Sequence, residues 1–223
     1  MTRLDEERGT AAGVTDVTAG YPARSSVMDR DSELELVGRM RAGDLAAFDS
    51  VYDTFNARLF GFLARLSRNR DVAEDLLEET WLRLVANAAR LDEDTRLGPW
   101  LFTVARNLYV SYCRSRAFDE PDGTETIGLW PGGFRQSPFE EAAFGELERR
   151  IEAALMTMPV RFREVLLLVG VEQLRPHEAA VVCGITPDAL RQRLKRARDM
   201  LAAKLESVDA APMRKREGRR DAR

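Results

Sequence analysis

From Ser32 onward the apolar residues fall three and four apart, in blocks separated by polar or Gly/Pro-containing breaks, which predicts amphipathic helices and no strands. Leu34, Val37 and Met40 make a short first block, and Ser32 with Glu35 three residues later has the spacing of a capping box. Asp44, after Gly43, caps a longer helix in which Phe48, Val51, Tyr52, Phe55, Leu59 and Phe62 recur; these residues read as core. A third helix, Asp71 to Val85, carries Ala73, Leu76, Leu77, Thr80 and Leu84 on one side. Its other side carries Asp71, Glu74, Asp75 and Glu78 at i, i+3, i+4 and i+7. After a polar connection, Pro99 opens a fourth helix running to Arg116, with Leu101, Val104, Ala105, Leu108 and Tyr112 as its core stripe.

The pattern then breaks. Residues 117 to 139 hold Pro, Gly and acids without a period and read as a flexible linker, although Trp130 and Phe134 are apolar enough to dock somewhere. A second helical block begins near Glu140, with Phe144, Leu147, Ile151 and Leu155, a break at Met158-Pro159, then Val165, Leu166 and Leu168. It closes on two short helices. Ala179, Ala180 and Cys183 belong to the first, Gly184 supplies the turn, and Thr186 and Pro187 are N-cap and N1 of the second. In that last helix Leu190, Leu194, Ala197 and Leu201 form one apolar stripe, with Gln192, Lys195 and Arg196 opposite and Arg191, Arg193 and Arg198 on the flanks. This is the outline of a helix-turn-helix, whose second helix enters a DNA major groove. The fold class is therefore all-α: two small helical domains, 31–116 and 140–207, between tails 1–30 and 208–223 that read as disordered. Met28, just before the first patterned segment, is a candidate translation start.

Composition changes this picture little. The chain has 223 residues, 44% hydrophobic and 32% charged, and a net charge of −3 that predicts no polyanionic partner by itself. Lysine occurs only at Lys195, Lys204 and Lys215, so the positive charge is nearly all arginine, a bias that a GC-rich genome produces without selection for binding. Cys113, Cys183 and the single His177 form no zinc set and no CxxC pair, which fits reduced thiols in a cytoplasmic protein with no metal and no cofactor. No apolar run of about 18 residues spans a membrane. The acidic start (Asp5, Glu6, Glu7) is unlike a signal peptide. No nucleophile, base and metal constellation suggests catalysis.

Two helix faces carry candidate chemistry. Like charges at helical spacing cost a few tenths of a kcal/mol per pair, so the Asp71, Glu74, Asp75, Glu78 face is either solvated or a docking surface for a basic partner. On the fourth helix Phe102, Arg106, Tyr109 and Arg116 share one side, and Trp100, Asn107, Ser111 and Arg114 another. Aromatic and basic residues interleaved on exposed faces suit separated DNA strands, with rings stacking on bases and arginines holding phosphates. The same rings serve equally well to cover a neighbouring helix.

Three stretches, AEDLLEETWLRL (Ala73 to Leu84), PWLFTVARNLYVSYCRSR (Pro99 to Arg116) and MPVRFREVLLL (Met158 to Leu168) leading into the helix-turn-helix, together resemble the extracytoplasmic-function group of bacterial sigma factors. The resemblance implies a promoter-specificity subunit that binds core RNA polymerase and promoter DNA and is held in check by an anti-sigma factor. It implies that Asp71, Glu74, Asp75 and Glu78 dock on polymerase. It further implies that Arg96, Trp100, Phe102, Arg106, Asn107, Tyr109 and Arg114 melt the element nearest the start site and hold single-stranded DNA. Asp188, Arg191, Gln192, Arg193, Lys195 and Arg196 would read the more distant element as duplex. The chain departs from the family at Glu78, where Gln is usual, at Ser111, where an acid is common, and at Asp188-Ala189, which replace a Gly-Thr entry. A stand-alone helix-turn-helix regulator, binding duplex DNA without polymerase, is the alternative; a sigma mimic has no use for the basic last helix.

Overall fold

The computed structural model describes residues 28–119 and 145–210. The tails, the 120–144 part of the linker with Trp130 and Phe134, and Phe144 lie outside the described residues. Among the described residues every regular element is a helix. Helix α1 spans Arg30–Arg41, α2 Leu45–Ser67, α3 Arg70–Asn87 and α4 Leu97–Asp119, with a short 3-10 turn at Ala88–Arg90. The second domain has α5 at Glu146–Met156, α6 at Val160–Leu166 running into a π-helical turn at Leu167–Val171, α7 at Pro176–Cys183 and α8 at Pro187–Ala210.

Capping decides where these helices begin. Asp29, not Ser32, caps α1: its carboxylate accepts from the backbone N–H groups of Asp31 and Ser32. Those bonds hold its carboxyl below the usual range, since they favour the charged form. The expected Ser32/Glu35 box is therefore inside the helix, because an aspartate three residues earlier offers two acceptor oxygens. Asp44 caps α2 as its position predicts, accepting from Ala46 N–H at 2.9 Å. Asn69 caps α3, which begins at Arg70, one residue before the expected start, and α4 begins at Leu97, two residues before Pro99. The reason for the second shift is Glu33, a buried carboxylate on α1 that accepts from Leu97 N–H at 2.7 Å and so satisfies an orphan donor of α4.

The apolar stripes pack as one continuous core. Val51, Leu59, Leu63 and Leu66 of α2 meet Ala73, Leu84, Leu101 and Ala105, and the same cluster continues into Val165, Leu168, Ala179 and Leu190 of the second domain. The two domains are thus pressed together. At the join lies Arg163, a wholly buried guanidinium that donates to the carbonyls of Leu155, Met156 and Met158 at the end of α5 and to Leu66 O, at 3.2 Å, near the end of α2. Arg68 donates to Met156 O as well. Helix C-termini carry partial negative charge and unpaired carbonyls, so two of them converge on one cation. Its own burial, with Arg68 close by, lowers the Arg163 pKa to about 10.

Candidate polymerase and nucleic-acid interface

The acidic side of α3 stands in solvent as its spacing predicts: Asp71, Glu74, Asp75 and Glu78 are all exposed, while Ala73, Leu76, Thr80 and Leu84 are buried. Glu74 is tied to Arg70 one turn earlier at 2.7 Å, which relieves part of the like-charge repulsion. The line Asp75, Glu78 runs on through Leu82 and Val85, which are 55% and 59% exposed. Sequence reasoning missed these two apolar side chains. The signal was present, since 71, 75, 78, 82 and 85 keep a heptad spacing along one edge, but Leu82 and Val85 look like core when read singly. Beneath the edge, Trp81 is gripped by Tyr52 and Phe48 at ring separations of 4.8 and 5.9 Å and donates through Nε1 to Asn56 at 3.0 Å. The exposed edge therefore rides on a rigid base.

The residues expected to hold separated strands divide into two sets. Asn107 and Arg114 are exposed and Trp100 is half-buried. Phe102 is fully buried, edge-on to Phe62 at 5.3 Å, and Tyr109 is 9% exposed. Burial raises the Tyr109 hydroxyl well above its ordinary value. The expectation that these two rings sit on an open helix face is corrected here: α7 packs on α4, Phe62 of α2 meets Phe102, and Glu164 of α6 pairs with Arg106. Arg106 is ion-paired to Glu164 at 2.8 Å. Arg96 lies between Glu33 at 3.0 Å and Glu178 at 3.3 Å.

The helix-turn-helix has the expected local construction. Arg175 N–H donates to Glu178 at the start of α7. Gly184 takes a φ of 64°, where a side chain would be strained, and Thr186 Oγ1 accepts from Ala189 N–H to cap α8. Leu190, Leu194 and Ala197 are buried, which turns Arg191, Gln192, Lys195 and Arg196 outward; Arg193 is half-buried on the flank. Asp188 at the first turn accepts from Arg191 one turn later. His177 is exposed beside this unit.

Both helical domains are similar to known proteins. Residues 51–118 match the family described as Sigma-70 region 2 and residues 148–201 the one described as Sigma-70, region 4. The ECF RNA polymerase sigma factor EcfG of Rhodopseudomonas palustris is 36% identical over 170 residues, covering 73% of this chain and 88% of the relative. The chain is an extracytoplasmic-function sigma factor. Similar too is the RNA polymerase sigma factor CarQ of Myxococcus xanthus, 31% identical over 73% of this chain and 91% of its own. Among solved structures, the sigma factor RpoE in complex with the anti-sigma factor NepR from Bartonella quintana superposes with a TM-score of 0.57 and 26% identity, covering 71% of this chain and 96% of that one. A sigma factor is the promoter-specificity subunit of RNA polymerase, and the two helical domains here are its two conserved regions. Among the described residues no helix is long and apolar enough to cross a membrane, and no three His, Cys, Asp or Glu side chains are grouped to hold a metal ion.

Proposed function

We propose that this sigma factor divides its work among the three surfaces. The first domain, 31–116, docks on core polymerase through Asp71, Glu74, Asp75 and Glu78, extended by Leu82 and Val85. Its α4 and the turn before it, with Arg96, Trp100, Arg106, Asn107 and Arg114, take the separated strand. The second domain, 140–207, reads duplex through Asp188, Arg191, Gln192, Arg193, Lys195 and Arg196. It acts by binding alone, in the cytoplasm: stacking worth roughly 1–3 kcal/mol per base offsets an unstacking cost of a few kcal/mol. An anti-sigma protein is its expected regulator, as RpoE has in its complex with NepR.

The observation that carries this reading is the exposed basic side of α8, held outward by the buried Leu190, Leu194, Ala197 stripe. The test is transcription with purified core polymerase, followed by mapping of start sites in cells overproducing the protein. Initiation at a shared pair of upstream elements is the expected result. Tight duplex binding unaffected by core polymerase, with no initiation, overturns it in favour of a stand-alone regulator.

A further inference from the structure

The turn that leads into α4 is held from one side by α1. Leu91 and Leu97 anchor its two ends in the core, while Asp92, Glu93 and Asp94 between them stand in solvent. One backbone bond closes the turn itself, from Thr95 N–H to Asp92 O at 3.0 Å. Further ties come from Arg30, Glu33 and Arg41, which fall on one face of α1. Arg30 donates to Asp94 O at 2.6 Å and to Thr95 O at 3.3 Å. Buried Glu33 takes Leu97 N–H on one carboxylate oxygen at 2.7 Å, and the Arg30 and Arg96 guanidinium groups on the other at 2.9 and 3.0 Å. One side chain thus gathers α1, the turn and the start of α4, as a buried carboxylate must find partners. Arg41 pairs with Glu93 at 2.7 Å across an open cleft lined by Leu34, Gly38, Ala42 and Ala89. Residues 92–96 are therefore fixed by polar bonds to α1 more than by packed side chains.

Ordering a loop costs conformational entropy residue by residue, and a segment set in place before it meets its ligand avoids that cost at binding. A fixed site also discriminates more sharply, because flexible surfaces re-pack around a wrong partner. We propose that α1 is a brace that sets the turn 92–96 in its strand-receiving form before DNA arrives, with Arg30 and Glu33 as positioning residues. Neither touches a base or a phosphate. Arg30 fixes the course of the backbone through two carbonyls, and Glu33 fixes the Arg96 guanidinium and the first turn of α4 together. The consequence is selectivity at the base that the turn receives, beyond affinity alone. This rests on the assignment of the turn and α4 to strand capture.

The test uses holoenzyme assembled from purified core polymerase and the full chain. Its probes are a fluorescent oligonucleotide carrying the melted strand of a mapped promoter, and copies of it substituted one base at a time. Arg30→Ala is expected to bind the best oligonucleotide about tenfold more weakly and to lose less against the substituted copies, so that the base profile flattens. Co-purification with core polymerase and affinity for duplex carrying the more distant element stay at parent levels, since α3 and α8 lie outside the brace. Arg30→Lys keeps the charge beside Glu33 and recovers part of the profile. Hydrogen exchange on the parent alone stands even where a variant does not fold: the Thr95 and Leu97 amides, both hydrogen-bonded, should exchange far more slowly than in an unstructured peptide, without DNA. Rapid exchange at both overturns the brace. So does a parent-like profile in Arg30→Ala, or a uniform loss against every oligonucleotide, which marks a residue that only stabilises the fold. A parent holoenzyme with no base preference along the oligonucleotide overturns the strand-capture assignment, and the brace with it.

Discussion

At the residue scale, Asp188 is the position where this chain departs most visibly in its recognition helix, and the structure gives it a partner. Its carboxylate takes one edge of the Arg191 guanidinium, leaving the other N–H groups of the fork directed outward. A fork held in this way is suited to the O6 and N7 acceptors of guanine, a contact worth about 1–3 kcal/mol of discrimination. Asp188→Ala is expected to relax selectivity at a single base position by roughly 1 kcal/mol while altering affinity for phosphate-dominated, non-specific duplex much less. Arg191→Ala loses selectivity at the same position. Competition binding against duplexes substituted one base at a time checks both, and equal base profiles for Asp188→Ala and the parent rule the pairing out as a reader. The two cysteines lead elsewhere. Burial pushes the Cys183 thiol up to about 12 and raises Cys113 as well, so both are thiols at neutral pH. Because the folded value exceeds the ordinary 9.0, the stability Cys183 contributes is complete below pH 9 and is lost only as pH climbs towards 12. Iodoacetamide at pH 8 should modify half-exposed Cys113 slowly and Cys183 only on unfolding, as read by mass spectrometry.

At the element scale, the periodicity of apolar residues marks out the helices well, and helix ends poorly. Buried Glu33 shows why: nothing local distinguishes it from the exposed Glu35 two residues on, yet it joins α1 to the first turn of α4 and pairs with Arg30 and Arg96. That role depends on a partner more than sixty residues away, beyond the reach of any capping pattern. The acidic edge of α3 was legible because four acids at helical spacing fall on one face, opposite the apolar stripe. Its apolar continuation was not, since exposure is decided by which neighbours are absent. Reversing Asp75 and Glu78 to lysine is expected to reduce co-purification with core polymerase at least about tenfold at low salt, with the effect shrinking as salt screens it. Leu82→Ser should weaken assembly in a salt-independent way, since it removes apolar contact, roughly 1–2 kcal/mol if fully covered. Both variants keep their helical content, because these side chains already face solvent. Wild-type assembly by the double lysine variant reduces that edge to a solvated surface.

At the scale of the whole molecule, what could not be read from the sequence is how the domains meet. Glu164, Glu172 and Glu178 look like ordinary surface charges in a chain that is 32% charged, and the arginines they join lie dozens of residues away. The rings of Phe102 and Tyr109 were legible as a candidate strand platform and equally as cover for another helix, and in the closed molecule they are the latter.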